Sequence, residues 1–572
     1  MQMWRCNYLK LGRPLCGDIQ YVLDDPFAAA TTADLRDAYS LGFHGYQDFL
    51  HDQVLALDPV GVARRSLVWV RPDPAAGVPA YYVVSDDIEK DDKEHDYDWL
   101  LQLAPDNIAE LQANSFTVSK NPATPETFLE GPAERDKNGT FVGNARVAVE
   151  TPKDGRYWLY VLAGCSDRTG MGFRYYSAAV DGRSTGYAAV GWSESVWDWH
   201  GLNNQAADGM ELKAGKHEIA INEGGHGPPG AALRVGAVAL SSVRDVAPSF
   251  LGVRGYARRE DKPEDATPLP NPYVPPAVPE GVVCVPVTKD NTALSDGWTW
   301  KTEKRAQMDV HFICAEPLQT MRLEQDVLRV RSGHGFWIVH PRVHAHSVWK
   351  DIEAFRSLHA PTQIRGRNPH FTALLYPRRA DMERPTIELL KEDPPINLDG
   401  EVMPVPAVKV TWQNAVDYIG AYQARSSRPL VTQDLSIVRL PRADENLAKV
   451  KYLLVCGNRL TFRPKNARKE DPPKELLKVE DPRNITSVTV ACSGSVLHIA
   501  AYPRPTSFWK LCVPVNLKAY GPDVKEVYVN GTKTAFKREG DEVSVTVTPE
   551  RHESVKERIE KRRERYYSRM SP

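Results

Sequence analysis

The chain has 572 residues, of which 42% are apolar and 26% charged, and its formal net charge is −2. This composition is typical of a folded protein and excludes a largely disordered one. No stretch approaches the roughly 18 consecutive apolar residues that span a bilayer, and a near-neutral charge gives no basis for nucleic-acid binding, which normally requires a basic face. We therefore expect neither a membrane nor a nucleic acid as partner.

The cysteine pattern and the start of the chain say little about compartment. The eight cysteines are dispersed without a CxxC pair, so a structural zinc site is not expected. Dispersed cysteines are most often buried thiols, and one or two disulfides remain an alternative. No apolar run behind a basic tip opens the sequence, so no secretory leader is predicted from it.

Strand patterns dominate the chain. Short runs rich in β-branched and aromatic residues, interrupted by Pro/Gly turns, predict strands at residues 67–70, 81–84 and 157–162. The last of these is apolar on both faces, which predicts a strand buried between two layers. Asn530-Gly531 after residues 527–529 predicts a tight hairpin, and residues 543–547 return with strict alternation. A helix is weakly indicated at 34–53, and a charged, solvated helix is predicted for the tail at 550–572.

Proline marks the predicted boundaries. Residues 262–279 contain too many prolines for a sheet and predict an extended linker or surface strap. We predict an all-β protein in which an antiparallel β-supersandwich is interrupted by a jelly-roll module and followed by a smaller sandwich. The predicted parts are the first part of the supersandwich at 1–130, the inserted module at 131–245, a Pro-rich linker at 246–282, the remainder of the supersandwich at 283–440, the C-terminal sandwich at 441–549 and the charged tail at 550–572.

Several of these strands resemble a known family. Residues 64–71 (RRSLVWVR), 81–88 (YYVVSDDI) and 95–101 (HDYDWLL) are similar to a segment of the heparinase II/III-like polysaccharide lyases. Residues 371–378 (FTALLYPR) and 408–418 (VKVTWQNAVDY) look like later strands of the same domain. The resemblance covers roughly residues 10–110 and 305–550, and its motifs are moderately specific as a set.

The resemblance implies a function and a missing partner. In that family a helical toroid precedes the sandwich, the sugar chain lies between them, and most catalytic residues come from the toroid. Residues 1–52 contain no such toroid, so the expectation is an incomplete catalyst that pairs with a toroid domain or subunit. The family resemblance also suggests a periplasmic or extracellular location, and an acidic polysaccharide as the ligand.

The predicted module carries a candidate sugar site. Residues 154–161, 180–182 and 214–221 resemble strands of carbohydrate-binding jelly rolls, and a Trp-rich segment lies between them. Sugar recognition requires flat aromatic faces together with carboxylates or amides for the hydroxyls. The alternative is core packing, because Trp197 and Trp199 share one face of a strand. The candidate binding residues are Trp192, Glu194, Trp197, Asp198 and Trp199.

A histidine row is the candidate for chemistry. On a strand, the side chains of residues 340, 342, 344 and 346 all point to one face. Three imidazoles and a guanidinium could neutralise a uronate or hold a divalent metal, although His-x-His alone is a weak metal motif and no metal ligand is assigned. The alternative is a polar outer sheet face. The candidate catalytic residues are His340, Arg342, His344 and His346.

Two further groups of side chains are candidates for a functional site. His95, Tyr97 and Trp99 alternate on one face of a predicted strand, as either a cleft lining or a hydrogen-bonded seam. Asp86 and Asp87 are adjacent in a strand and point oppositely, which argues against a shared proton. The family resemblance implies a lyase component that acts on uronate-containing polysaccharide by β-elimination. The alternative is a non-catalytic carbohydrate-binding or scaffold protein.

Overall fold

The computed structural model is built of β-strands, and the described residues contain no α-helix. The all-β prediction is therefore confirmed. Nothing in the described part of the chain is a helix that could cross a membrane. The structure describes residues 18–24, 28–35, 41–43, 54–56, 60–103, 106–133, 143–166, 173–191, 197–202, 209–223, 232–244, 256–257, 267–314, 318–331, 337–339, 353–366, 369–390, 396–397, 403–404, 407–423, 435–443, 452–456, 459–462, 474–480, 487–493, 495–502 and 514–548.

An eight-stranded antiparallel sheet, the central sheet, organises the molecule. It joins strands that are far apart in the sequence, since the strand Tyr81–Glu89 pairs with one almost 300 residues later. A short 3-10 turn at Pro74–Ala76 joins its third and fourth strands. In spatial order the strands are β1 (Asp18–Asp24), β2 (Ala28–Asp34), β5 (Val62–Val70), β6 (Tyr81–Glu89), β29 (His370–Arg379), β24 (Ala306–Phe312), β9 (Ser115–Lys120) and β8 (Asn107–Leu111).

A seven-stranded sheet, the flanking sheet, packs on one face of the central sheet. The contact is an apolar cluster that includes Trp99, Phe116 and Phe371. The flanking strands are β7 (His95–Leu103), β19 (Tyr256–Ala257), β20 (Thr267–Pro268), β25 (Thr320–Met321), β26 (Glu324–Arg331), β27 (Trp337–Val339) and β28 (Glu353–Gly366).

A ten-stranded sheet covers part of the other face of the central sheet. Leu374 and Tyr376 of β29 pack against it, whereas Phe371 and Ala373 of the same strand face the flanking sheet. This two-sided burial explains the continuous apolar run of β29. The ten strands are β30 (Thr386–Leu390), β32 (Met403–Pro404), β33 (Ala407–Thr411), β34 (Ala415–Gln423), β35 (Leu435–Pro441), β36 (Tyr452–Cys456), β39 (Ser487–Ser493), β40 (Val496–Tyr502), β42 (Glu526–Val529) and β43 (Thr532–Thr534).

A six-stranded sheet forms the outermost layer, so four sheets are stacked. Val416 and Tyr418 of β34 pack toward this sheet, while Ala415 and Ile419 pack toward the central sheet. The six strands are β31 (Ile396–Asn397), β37 (Arg459–Phe462), β38 (Lys474–Val479), β41 (Val515–Tyr520), β44 (Lys537–Glu539) and β45 (Glu542–Val547). The ten-stranded sheet uses strands from both sides of the boundary predicted at residue 440, because its hydrogen bonding continues across that point.

A buried polar network joins the central and ten-stranded sheets. The carboxylate of Asp417 is fully buried and accepts hydrogen bonds from the Tyr81 hydroxyl and the Trp412 indole, each at 2.8 Å. Arg439 donates to the same carboxylate from Nε at 2.7 Å and from Nη2 at 2.9 Å. The two charges are therefore neutralised by each other, and the network fixes how the two sheets are placed.

The module is a two-sheet sandwich inserted between neighbouring strands of the central sheet. The chain leaves after β9 and returns at β24, which pair with each other. Its seven-stranded sheet contains β10 (Thr127–Glu130), β12 (Gly155–Cys165), β15 (Asp198–Gly201), β16 (Met210–Leu212), β18 (Leu233–Ser241), β21 (Val282–Pro286) and β23 (Thr299–Thr302). Its five-stranded sheet contains β11 (Asn144–Thr151), β13 (Phe173–Val180), β14 (Arg183–Gly191), β17 (Gly215–Glu223) and β22 (Thr292–Leu294).

The module extends beyond the range of 131–245 indicated by the sequence. Strands β21, β22 and β23 lie in its two sheets, although the sequence analysis assigns them to the supersandwich. The physical reason is that β18, β11 and β10 leave free edges that these later strands pair with. Before these three strands in the chain, the Pro-rich strap at 267–281 crosses the flanking sheet. The Asn271 side chain accepts a hydrogen bond from the backbone N–H of Leu111 and donates one to its carbonyl.

The helix indicated at 34–53 is not what the described residues show. Residues up to 34 belong to β2, and β3 (Leu41–Phe43) pairs with β4 (Val54–Ala56) in a two-stranded sheet. The two strands satisfy each other's backbone groups, and the weakly periodic sequence offers no continuous apolar stripe that would pack a helix against the core. The helix predicted for the tail at 550–572 lies outside the described residues.

Candidate functional site

The outer side of β5 and β6 carries a set of side chains that we call the aromatic–arginine face: Arg65, Leu67, Trp69, Arg71 and Tyr82. Strict alternation along β5 produces it, because Ser66, Val68 and Val70 point into the core on the opposite side. Leu67 is 37% exposed and the Arg65 side chain 51% exposed. Trp69, Arg71 and Tyr82 are half-buried, so the face is partly exposed to solvent.

Two aromatic rings lie side by side on this face. Trp69 and Tyr82 are direct cross-strand partners, their ring centroids are 6.2 Å apart, and the ring planes differ by 15°. The neighbouring strand β2 presents only Ala29, Thr31 and Ala33 on this side. Small side chains therefore lie beside the indole in the sheet. Nearly parallel aromatic rings suit the apolar face of a pyranose.

The guanidinium groups on the face are held in place. Arg71 lies with Cζ 4.6 Å from the centroid of the Trp69 ring, in a cation–π contact. Arg65 donates to the Asp86 carboxylate from Nε at 2.6 Å and Nη2 at 2.9 Å, and the Trp99 indole donates to the same carboxylate at 3.0 Å. A buried carboxylate thus orients an exposed guanidinium, which reduces the entropy lost when an anion binds.

The predicted alternation at the start of β7 agrees with the structure. His95 and Tyr97 are half-buried, Trp99 is buried, and Asp96 and Asp98 are exposed on the other side. These residues form a hydrogen-bonded seam, which was one of the two alternatives. His95 Nε2 lies 2.8 Å from Asp91 Oδ1, and this hydrogen bond is the main cause of the lowered pKa of Asp91.

Tyr97, which lies beside His95 in this seam, is not in an environment that would make it a base. Burial raises the pKa of Tyr97, and its hydroxyl accepts a hydrogen bond from the Lys90 backbone at 3.2 Å. Asp86 and Asp87 point to opposite faces of β6, as expected, and both are buried. No proton can be shared between them. The seam therefore helps to hold Arg65 of the aromatic–arginine face in place, because the Trp99 indole donates to the carboxylate that pairs with Arg65.

Several predicted site residues lie outside the described residues. His340, Arg342, His344 and His346 are among them, although the strand immediately before them is described as β27. Trp192 and Glu194 are outside as well. Their proposed roles therefore stay predictions. Among the residues that are described, no group of three or more His, Cys, Asp or Glu could hold a metal ion.

The remaining predicted binding residues are buried in the module rather than exposed on its surface. Trp197, Asp198 and Trp199 are 2%, 6% and 3% exposed. The two indoles belong to an apolar cluster with Phe128, whose ring meets Trp197 edge-on at 5.2 Å. Core packing, the alternative interpretation of this pair, accounts for the burial of both indoles. A sugar contact by either indole stays a prediction.

The sequence analysis missed the aromatic–arginine face, although it used the same segment for the family resemblance. The available signal was the two-residue period through Arg65, Leu67, Trp69 and Arg71, which puts two large apolar and two cationic side chains on one side. The two-residue period alone could not show which side of the strand a neighbouring sheet would leave exposed. In comparisons with known proteins, no family model and no curated protein matches this chain.

Proposed function

We propose that this chain binds a uronate-containing polysaccharide on the aromatic–arginine face, as the β-sandwich component of a heparinase II/III-like lyase. The observation that carries the binding proposal is the partly exposed face on which the rings of Trp69 and Tyr82 lie beside the guanidiniums of Arg65 and Arg71. The aromatic rings supply stacking area, and the arginines supply charge for the carboxylates. The lyase part of the proposal is supported by the resemblance of residues 64–101.

The chemistry divides naturally between binding and proton transfer. In β-elimination, a base removes the C5 proton, the electron pair forms the C4–C5 double bond, and the C4–O bond breaks as the leaving oxygen takes a proton. A guanidinium beside the carboxylate makes the C5 proton more acidic. Arg65 and Arg71 fit this neutralising role. We assign the base to the predicted row His340, His344 and His346 with Arg342, or to a helical partner.

Retention on a polysaccharide gel tests the binding proposal. We expect native mobility to fall in gels containing alginate, heparan sulfate, chondroitin or pectin, for at least one of the four. Trp69→Ala should weaken retention by about tenfold or more, since stacking on one aromatic ring is worth roughly 1–3 kcal/mol. Tyr187→Ala is the matched control, because Tyr187 is an aromatic side chain 51% exposed on the module. Equal retention of both variants would contradict the proposal.

A second candidate function is a non-catalytic carbohydrate-binding protein. It is favoured by the absence, among described residues, of an acid–base pair on the aromatic–arginine face. The absorbance of the unsaturated uronate product distinguishes the two after incubation of the purified chain with the same four polysaccharides. Product formation supports the lyase, whereas retention without product favours the binding protein.

A further inference from the structure

The positive charge of the aromatic–arginine face is partly cancelled by a carboxylate of the protein. Arg65 and Asp86 are direct cross-strand partners on β5 and β6. The carboxylate accepts from both Nε and Nη2 of the guanidinium, at 2.6 and 2.9 Å. A bidentate contact of this kind couples one positive charge to one negative charge. Because the face has two cations, Arg65 and Arg71, its own side chains leave at most one positive charge uncompensated.

The compensating carboxylate is buried, although its partner reaches the surface. The Asp86 side chain is 5% exposed, and the Trp99 indole donates to the carboxylate at 3.0 Å as a further buried contact. Water and salt ions therefore reach this anion poorly, and its field is screened less than that of an exposed charge. A ligand that approaches Arg65 meets a cation whose charge is largely offset from behind.

The other side chains of the face favour stacking over charge. The rings of Trp69 and Tyr82 lie nearly parallel, and the guanidinium of Arg71 lies over the indole as part of the same stack. Leu67 adds exposed aliphatic surface between the two arginines on β5. We therefore expect binding here to depend more on contact with the rings than on the release of counterions.

Uronate-containing polysaccharides differ in charge density, and this face suits the low end of that range. An unsulfated uronan carries carboxylates alone, whereas a sulfated one carries sulfate esters as well. An anion that is brought to the face without a cation is desolvated without compensation. Each added sulfate would also lie near the buried Asp86 carboxylate, which has the same sign of charge, and such like-charge contacts disfavour the wrong partner.

We propose that Asp86 sets the specificity of the aromatic–arginine face and makes it select uronans without sulfate groups. Asp86 is a positioning residue, because it is buried and acts on the polysaccharide through the charge and orientation of Arg65. The inference rests on the proposed function, since it concerns the same face. It goes further by naming the charge class of the ligand and the residue that selects it.

Pairs of polysaccharides that differ in sulfate alone test this selectivity. The pairs are alginate and sulfated alginate, de-esterified pectin and its sulfated form, chondroitin and chondroitin sulfate, and desulfated and native heparan sulfate. In affinity gels of equal uronate content, the full chain should be retained several-fold more strongly by the unsulfated member of any pair that retains it. That retention should change little between roughly 50 and 200 mM salt, because few counterions are released.

Asp86→Asn removes the charge of the carboxylate and keeps its size. Retention by the sulfated member should then rise several-fold and fall more steeply with salt, because the charge of Arg65 is no longer offset. Asp87→Asn is the matched control, since Asp87 is the next residue, is similarly buried (6% against 4% exposed) and points to the opposite face of β6. Both variants change the net charge equally, so an equal gain for the sulfated member in both would contradict the proposal.

A double variant keeps the test valid if Asp86→Asn disturbs folding. Arg65→Gln combined with Asp86→Asn removes both charges of the pair, so no buried charge is left without its partner. The double variant should prefer the unsulfated member, as the native protein does, even where its total retention is weaker. A preference for the sulfated member, in the native protein or in the double variant, overturns the proposal.

Failure of this inference can be distinguished from failure of the proposed function. If no member of any pair retains the native protein, or if Trp69→Ala leaves retention unchanged, the proposed function fails and the inference fails with it. If Trp69→Ala weakens retention but the sulfated members retain the native protein more strongly, the face is the binding site and only the proposed selectivity is wrong.

Discussion

Tyr81 and Tyr82 are adjacent in the chain and lie on opposite faces of the central sheet, where they have contrasting surroundings. Tyr81 is fully buried, donates to Asp417 and stacks on Trp412. Tyr82 is half-buried and stacks beside Trp69, next to the small side chains of β2. On the inner face, polar atoms are satisfied by the protein itself. On the outer face, aromatic area and part of a paired guanidinium are exposed to solvent.

The difference shows how one sheet can serve stability and recognition at once. Both faces carry a guanidinium paired bidentately with a carboxylate, Arg439 with Asp417 inside and Arg65 with Asp86 outside. The inner guanidinium is 2% exposed and the outer one 51% exposed. Burial alone would lower the pKa of Arg439, but the carboxylate of Asp417 outweighs it and raises the pKa. Only the outer pair leaves its cation accessible.

The largest expected effect is on the inner pair. Asp417→Asn keeps the size of the side chain but leaves the buried Arg439 guanidinium without its bidentate carboxylate. Removing one partner of a buried pair costs about 3–5 kcal/mol of unfolding free energy. Denaturant-induced unfolding measures the loss. Arg65→Met is the outer counterpart and leaves the buried Asp86 carboxylate with the Trp99 indole as a donor, so we expect a smaller loss of about 1–3 kcal/mol there. Equal losses would show that the two faces do not differ as described.

Removal of single hydroxyls sharpens the comparison. Tyr81→Phe deprives Asp417 of one buried donor, which should cost about 1–3 kcal/mol of unfolding free energy and leave polysaccharide retention unchanged. Tyr82→Phe should change the unfolding free energy by less than about 0.5 kcal/mol, because surface substitutions seldom exceed that. Chemical denaturation and gel retention of the two variants, run in parallel, test the assignment of each tyrosine to its face.

The module also contains a largely buried histidine that pairs with a carboxylate, and an exposed ion pair with which it can be compared. His217 Nδ1 lies 2.7 Å from Asp181, and His217 Nε2 lies 2.7 Å from the Lys213 carbonyl. Burial alone would lower the pKa of His217, but the hydrogen bonds to Asp181 and to that carbonyl outweigh it and the pKa is raised. A raised folded-state pKa adds stability that is fully present below pH 6.5 and is lost as pH rises through the folded value.

We therefore expect His217→Gln to lower the unfolding free energy by about 1 kcal/mol at pH 6, and by less as pH rises above 7. The exposed pair Lys213–Asp154 is the control, and Lys213→Ala should not move the unfolding midpoint measurably. Thermal unfolding of the three proteins between pH 5.5 and 8.5 measures this. A wild-type advantage over His217→Gln that grows with pH would contradict the assignment.

Local patterns predicted many strands correctly because alternation and turn residues are properties of a few neighbouring positions. The tight turn at Asn530 and Gly531 is an example, since both residues have positive φ and join β42 to β43. Residues 543–547 form a strand as predicted, yet they pair with β41 and β44 in the six-stranded sheet. Pairing between distant segments depends on contacts that a local pattern does not contain.

The candidate site was predicted less well for a related reason. The sequence correctly put Trp197 and Trp199 on one side of a strand, but the packing of Phe128 and Leu162 against them decided that this side is core. The same limit applied to Arg65, Leu67, Trp69 and Arg71, whose shared side is readable from their spacing. Which side a neighbouring sheet covers is a property of the assembled layers.

The sequence by itself determined that this protein is all-β and which side chains share a strand face, because both follow from short-range stereochemistry and turn chemistry. Only the tertiary structure decided that four sheets are stacked, that late strands complete the module, and that Tyr81 is buried while Tyr82 is half-buried beside Trp69. Those outcomes depend on which apolar faces find partners hundreds of residues away, and hydrophobic burial does not specify its partner in the local sequence.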